Sequence, residues 1–557
     1  MQKNPANIIV KFLNLLKFEK AEIYSIYIYA ILAGIIQLSL PLGIQSIISF
    51  VLGGAISTSI VILIIVVIVG VLAAGLLKVN QMKLIEKIQQ QLFVRYSFQY
   101  AHNIPKLNLR DVDNYYLPEL TNRFFDTITL QKGIAKLLLD VPAATIQILF
   151  GLILLSFYHP VFIFFGILLL LIVYITLRIT GSRGLQTSVQ ESDYKYKVAA
   201  HLQEISRVVR TYKFSRDTEL PVRKADKHVT GYLKSRTAHF RILLFQYWTL
   251  IAFKVVITAA MLIVGAFLLV NQQLNIGQFI AAEIVILMII DSVEKLIVNL
   301  DNVYDVLTSV EKITKVTEKP LEQNGRLDIT DQKGFTIKAQ NLSFGYTDDN
   351  RILKNLNFTI KSGEKVCLQG AYSSGKSSLL KVISGSYKDF EGILSINDVS
   401  IHNYDVNTLR SRVGILLNIQ EIFKGTLEEN ICLGDTSIPH KQLDKIAAVT
   451  GLKPYIDTLK DGYATELLPL GQHLSYRVIK KILLCRALIG HPALLLLEEP
   501  WMGLEDEYAA SVQNYIMNEL KDTTAIVVTS DNTFATTCDQ LFFIDNGALT
   551  TIQNKDR

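Results

Sequence analysis

The sequence predicts a two-part chain: an all-α membrane domain of about six helices, followed by an α/β domain of the P-loop NTPase class. Three observations carry that prediction. Long stretches of the first 300 residues hold no charge, the segments between them are basic, and a glycine-rich phosphate-loop pattern stands at residues 370–377 between a β-rich run and a helical one. The averages over 557 residues blur the division: 50% of residues are hydrophobic, 19% are charged, and mean hydropathy is +0.31. Soluble domains carry about 25% charged residues, so the average already points to lipid. Disorder is excluded, because it needs low hydrophobicity and a high net charge and here the net charge is only +6.

The membrane half reads in order. Asn7 to Lys17 sets apolar residues at helical spacing with lysines between them, as in a helix lying on the inner membrane surface. Ile23 to Leu77 contains no charged residue, and since a crossing takes about 20 residues it holds two, with a turn near Gly53-Gly54. Val141 to Leu177 holds two more, broken at Tyr158-His159-Pro160, and Ile242 to Leu300 the last two, turning at Asn271 to Asn275. Lys78 to Asp140 carries 9 Lys/Arg against 6 Asp/Glu, and Arg178 to Lys254 carries 15 against 6, whereas the short turns carry none. The positive-inside rule therefore places the long segments and both termini in the cytoplasm. Acidic residues interspersed through the basic segments argue against a nucleic-acid surface. Among the charges inside the last pair of spans, Lys254 is expected to snorkel toward the inner interface, while Glu283 is either cavity-lining or part of a buried pair. Asp291, Glu294 and Lys295 are expected to emerge on the cytoplasmic side.

Past Leu300 the character changes. Residues 1–320 are assigned to the membrane domain, the polar, turn-rich 321–334 to a linker, and 335–557 to the nucleotide-binding domain, where short β-rich runs alternate with helical patterns. All four cysteines (Cys367, Cys432, Cys485, Cys538) lie in that last part, too sparse for a disulfide scaffold and suited to a reduced compartment.

Gly370-Ala371-Tyr372-Ser373-Ser374-Gly375-Lys376-Ser377 matches G-x-x-x-x-G-K-[ST] between a strand and the helical run that starts at Ser378. Small residues let backbone N–H groups close on phosphate oxygens at a helix N-terminus. Lys376 would reach the β- and γ-phosphates, and the Ser377 hydroxyl would ligate Mg²⁺. About 120 residues later the apolar run Leu494 to Leu497 ends in Glu498-Glu499-Pro500. A buried strand that delivers two carboxylates to its C-terminal edge can hold Mg²⁺ and orient water.

Six spans followed by this cassette resemble an ABC transporter half of the exporter type, over nearly the whole chain. In that resemblance Tyr346 is the aromatic residue that stacks on adenine, Asn418 stands at the Q-loop position near the metal, and Ser475 opens the signature helix and meets the γ-phosphate. Glu499 is the carboxylate that polarises the attacking water, and Glu498 stands in place of the Walker B aspartate. Several positions depart from the family pattern: the signature loop reads Leu474-Ser475-Tyr476-Arg477-Val478, the D-loop ends at Glu505, and Ser530 replaces the switch histidine. The resemblance implies ATP and Mg²⁺ as cofactors and a second half-transporter as partner, a homodimer being favoured because family heterodimers concentrate such defects in one composite site. It is nearest the peptide and bacteriocin exporters, whose N-terminal cysteine peptidase has no counterpart before Cys367, so any peptide cargo is expected to arrive uncut or to be processed elsewhere; a membrane-fusion adaptor is a conceivable further partner. The expected function is an ATP-driven exporter in a bacterial inner membrane, with hydrolysis slowed by the missing groups. The alternatives are a lipid or drug exporter, or a non-hydrolysing regulatory membrane subunit.

Overall fold

The computed structural model describes residues 5–53, 58–113, 116–329, 333–347, 349–418 and 421–554; Gly54 of the expected first turn lies outside them. The chain divides into two compact units, Met1–Leu107 with Tyr115–Pro320, and Asn108–Asn114 with Leu321–Arg557.

The first unit is built from α1 (Pro5–Leu16), α2 (Lys20–Gln37), α3 (Ser39–Leu52), α4 (Thr58–Asn103), α5 (Asp126–Tyr158), α6 (Val161–Arg207), α7 (Leu220–Val270) and α8 (Ile276–Thr317). Six helical stretches among the described residues are long and apolar enough to cross a membrane. The breaks have local causes. Pro41 lacks the N–H that would bond the Gln37 carbonyl, and the first span is interrupted there, α2 ending at Gln37 and α3 starting at Ser39. His159 is extended and Pro160 follows it, which turns the chain from α5 into α6. Asn275 caps α8 by accepting from the Gln278 amide at 2.7 Å while the Gln278 side chain accepts from the Asn275 amide at 3.0 Å.

α4 shows what each solvent asks of a helix. Around its first turns Val61, Ile62, Ile65, Val66, Ile68, Val69, Val71 and Leu72 are all exposed on the protein surface, as lipid-facing residues are. Farther on, Gln81, Ile85, Ile88, Leu92, Tyr96 and Tyr100 are buried at spacings of three and four, the stripe of a helix packing in water. Lys254 on α7 is ion-paired with Glu294 on α8. The pair gives each of these charges a partner on the adjacent helix, as charged residues within spans commonly have.

The second unit carries a six-stranded sheet, a four-stranded sheet and a two-stranded pair. Their strands are β1 (Ile337–Phe344), β2 (Leu353–Ile360), β3 (Lys365–Gly370), β4 (Glu391–Ile396), β5 (Val399–Ser400), β6 (Val413–Leu416), β7 (Gly425–Thr426), β8 (Glu466–Leu467), β9 (Leu494–Glu498), β10 (Thr524–Val528), β11 (Gln540–Asp545) and β12 (Ala548–Asn554). The large sheet runs β12-β11-β3-β10-β9-β6, parallel except for β12 at its edge; the antiparallel sheet runs β2-β1-β4-β5. β9 and β10 are buried at every position, as central parallel strands covered on both faces must be. Their parallel order brings the C-terminal ends of β3, β9 and β10 to one edge. The helical turn Leu109–Val112 belongs to this unit: Asn108 caps it, and the Tyr387 hydroxyl donates to the Asp113 carboxylate at 2.8–2.9 Å.

Candidate functional site

At that edge lies a cavity of about 890 Å³, lined by the phosphate loop, Asn418, Glu498, Glu499 and the segment after β10. The loop leaves β3 at Gly370, whose φ is +149° and where an added Cβ would stand 2.1 Å from the Ile544 carbonyl oxygen. Gly375 has φ +106° and opens α9 (Lys376–Ile383). Between them Ser373 holds φ +60° without being glycine, a strained conformation stabilised by the loop around it.

The Lys376 ammonium is folded back on its own loop, donating to the Gly370 carbonyl at 2.8 Å, the Ala371 carbonyl at 2.6 Å and the Ser374 hydroxyl at 3.3 Å. Burial lowers its pKa from the usual lysine value, and the nearby Glu498 and Glu499 oppose that shift. Ser377 Oγ donates to Glu498 Oε1 at 2.5 Å, and the Asn418 amide donates to Glu498 Oε2 at 3.3 Å. Glu498 is itself buried, so its carboxylate is held between loop and strand with both oxygens engaged.

Glu499 leaves the strand with φ +43°, its amide bonded to the Val528 carbonyl at 2.8 Å. Its Oε2 accepts from Thr529 Oγ1 at 3.4 Å. Burial pushes the carboxyl above the ordinary glutamate range, while the Thr529 hydroxyl, the Ser530 amide and the charge of Lys480 pull it down. Two adjacent carboxylates thus have different surroundings: one is fully hydrogen-bonded and the other is partly desolvated, the condition under which two acids take different tasks.

Two family profiles match the chain: "ABC transporter transmembrane region" over residues 23–293, and "ABC transporter" over residues 353–502, which contains the phosphate loop and both glutamates. The chain belongs to the ABC transporter family. It is an exporter-type member with transmembrane region and cassette fused in one polypeptide, and so an integral membrane protein. A multidrug efflux ATP-binding/permease protein of Mycobacterium tuberculosis is 25% identical over 248 residues, 44% of this chain and 21% of that one. The leukotoxin translocation ATP-binding protein LktB of Mannheimia haemolytica is 28% identical over 287 residues, 51% of this chain and 40% of that one. The matched region therefore spans well under half the length of these relatives. The solved structure of a bacterial Atm1-family ABC exporter with ATP bound shares the fold, with a TM-score of 0.82 over 96% of this chain and 95% of that one at 17% identity.

In this ABC transporter Gly370, Tyr372, Ser373, Ser374, Gly375, Lys376, Ser377, Ser378, Asn418, Glu498 and Glu499 share the one cavity, and Ser530 joins them. Ala371 contributes its carbonyl to Lys376. Tyr346 does not line the cavity: its ring packs edge-on against Phe344 and Tyr387, and its hydroxyl meets Ser378 Oγ and the Lys381 ammonium, each at 3.2 Å. Ser475 is the N-cap of α10 (Tyr476–Leu488), accepting from the Val478 amide at 3.3 Å, and stands outside the cavity lining. Tyr476 and Arg477 after it are exposed, and Glu505 is paired with Lys481 at 2.8 Å and Arg477 at 3.7 Å. Sequence reasoning passed over Thr529 and Lys480. Lys480 is buried on α10 with its ammonium 3.4 Å from the Glu498 carbonyl oxygen, a lysine whose only signal was its apolar surroundings in the helix.

Proposed function

We propose that the chain is one half of an ATP-driven exporter for an amphipathic substrate, a peptide being the leading class, with slow nucleotide turnover. The observation that supports it most is the convergence of Lys376, Ser377, Glu498 and Glu499 in one cavity, on a cassette whose chain also supplies six apolar helices. ATP would lie with its phosphates in the loop from Gly370 to Ser378, and Tyr346 would meet the base from the edge of its aromatic cluster. Ser377, Glu498 and the Asn418 side chain offer hard oxygen donors of the kind Mg²⁺ takes. Nucleotide-bound Mg²⁺ is ordinarily held by few protein oxygens, with phosphate and water supplying the rest, which suits so small a donor set. When bound, the ion would neutralise phosphate charge. Glu499 would orient and polarise the attacking water, its raised pKa suiting it to accept a proton.

Turnover is proposed to be slow because Ser530 is too short to reach a γ-phosphate from its place in the lining, and Tyr476-Arg477 put bulk where a signature loop has glycine. Losing one transition-state donor commonly costs a hundredfold to a thousandfold, about 2.7 to 4 kcal/mol. A second copy of the chain would complete the nucleotide sandwich, in a bacterial cytoplasmic membrane with both termini and the cassette inside. Reconstituted vesicles test the reading: Lys376→Ala is expected to abolish ATP-dependent export, and export surviving that change would overturn it. Ser530 and the signature loop also favour a nucleotide-operated membrane switch; survival of activity in Glu499→Gln with loss in Lys376→Ala would select that second reading.

A further inference from the structure

Lys480 stands in the second turn of α10 with only 5% of its surface exposed, so its surroundings are supplied by this chain alone. Its ammonium carries three donors, and among the described residues it has one acceptor, the Glu498 carbonyl oxygen at 3.4 Å. Taking a charge out of water costs far more than one long hydrogen bond returns. The compensation comes from the charges that the ammonium faces. Burial lowers its pKa from the usual lysine value, and Glu498 and Glu499 raise it again. On Glu499, where burial is the main influence, the pull of the Lys480 charge exceeds the push of the Glu498 charge. The ammonium thus offsets the mutual repulsion of two consecutive carboxylates at one strand end.

The carbonyl it meets is half of the peptide unit that joins Glu498 to Glu499. The other half, the Glu499 amide, donates to the Val528 carbonyl on β10 at 2.8 Å. That peptide is therefore fastened at both ends, to β10 and to α10, immediately before the bond about which Glu499 holds φ +43°. A residue other than glycine keeps such a conformation only where its surroundings fix it. The direction in which the Glu499 side chain leaves the strand, toward the cavity and Thr529, follows from the orientation of that peptide. Lys480 itself does not line the cavity.

We propose that Lys480 is a positioning residue for hydrolysis: from behind the strand end, its charge and its hydrogen bond aim the Glu499 carboxylate at the attacking water. This deepens the reading of Glu499 as the group that polarises water, and rests on it. Phosphate release and equilibrium nucleotide binding are measured on the full-length protein in nanodiscs, with a thermal unfolding scan of each variant. Lys480→Met, which fills the space without charge or donor, is expected to lower kcat by about tenfold or more and to leave KM and nucleotide affinity within about threefold. Lys480→Gln, a donor without charge, is expected to fall with it, and Lys480→Arg, which restores a cation, to keep about a third or more of the wild-type kcat. In a Glu499→Gln background Lys480→Met is expected to lower kcat by less than about twofold further, because the group it aims is gone. Full kcat in either neutral variant, nucleotide affinity lost in step with kcat, or failure of both neutral variants to fold would each overturn the assignment. So would a Lys480→Arg no more active than Lys480→Met, or an undiminished effect of Lys480→Met in the Glu499→Gln background. Glu499→Gln alone separates the two readings. Unchanged turnover in that variant removes Glu499 as the water-orienting group, whereas a loss there with none in Lys480→Met removes only the role of Lys480.

Discussion

The outer half of α4 and the strand β9 are both written almost wholly in aliphatic residues, yet most positions of the one are exposed and the other is buried at all five positions. The difference lies in the length of each run and in the residues at its end. β9 is five residues long and ends in two glutamates at a cavity, whereas the uncharged run of α4 continues to Lys78, where its packing stripe takes over. In the cassette, protein supplies the apolar solvent and the chemistry sits where that solvent stops; in the membrane unit lipid supplies it, and the charges of Lys254 and Glu294 are answered by one another.

Glu499→Gln presses hardest on that contrast. Turnover measured by phosphate release is expected to fall by a factor of about 10² to 10⁴ with nucleotide affinity retained, since only the proton acceptor is removed; unchanged turnover would mean the strand end carries no chemistry. Next in size is a matched pair of truncations. Leu496→Ala, at a site with no exposure, is expected to destabilise the cassette by about 2 to 5 kcal/mol, while Ile65→Ala, 54% exposed on α4, changes stability by less than about 0.5 kcal/mol in a nanodisc. Equal losses in thermal unfolding would break the comparison. Lys376→Ala should weaken nucleotide binding by about 1.5 to 3 kcal/mol, the worth of a charged hydrogen-bond donor, as read by equilibrium titration. Smallest are the helix caps: Asn275→Ala on α8 and Ser475→Ala on α10 are each expected to cost about 1 kcal/mol, because a capped helix end faces water in either unit.

Six spans, their turns at Gly53, His159-Pro160 and Asn271, the phosphate loop and the paired glutamates were legible because each is a local pattern with a single physical reading. Absence of charge marks only the part of a helix that lipid surrounds. It says nothing of how far α4, α6 and α7 run beyond, to 46, 47 and 51 residues, because those extensions pack in water as amphipathic helices. Pairings between distant residues were likewise hidden. Nothing around Lys254 announces Glu294, forty positions away, and nothing around Tyr346 announces that Tyr387 and Lys381 hold its ring and hydroxyl. The grouping of Asn108–Asn114 with the cassette is of the same kind, a contact made across more than 270 residues by Tyr387 and Asp113.

The lysine of the phosphate loop, bonded to two carbonyls of that same loop, makes nucleotide entry an exchange of partners. An ammonium that already has oxygens around it gives up those contacts as phosphate oxygens arrive, and the released carbonyls must turn to water. Measured affinity is then the difference between two well-bonded arrangements, and a loop redesigned to leave the ammonium unpaired would grip phosphate harder at the expense of its own order when empty.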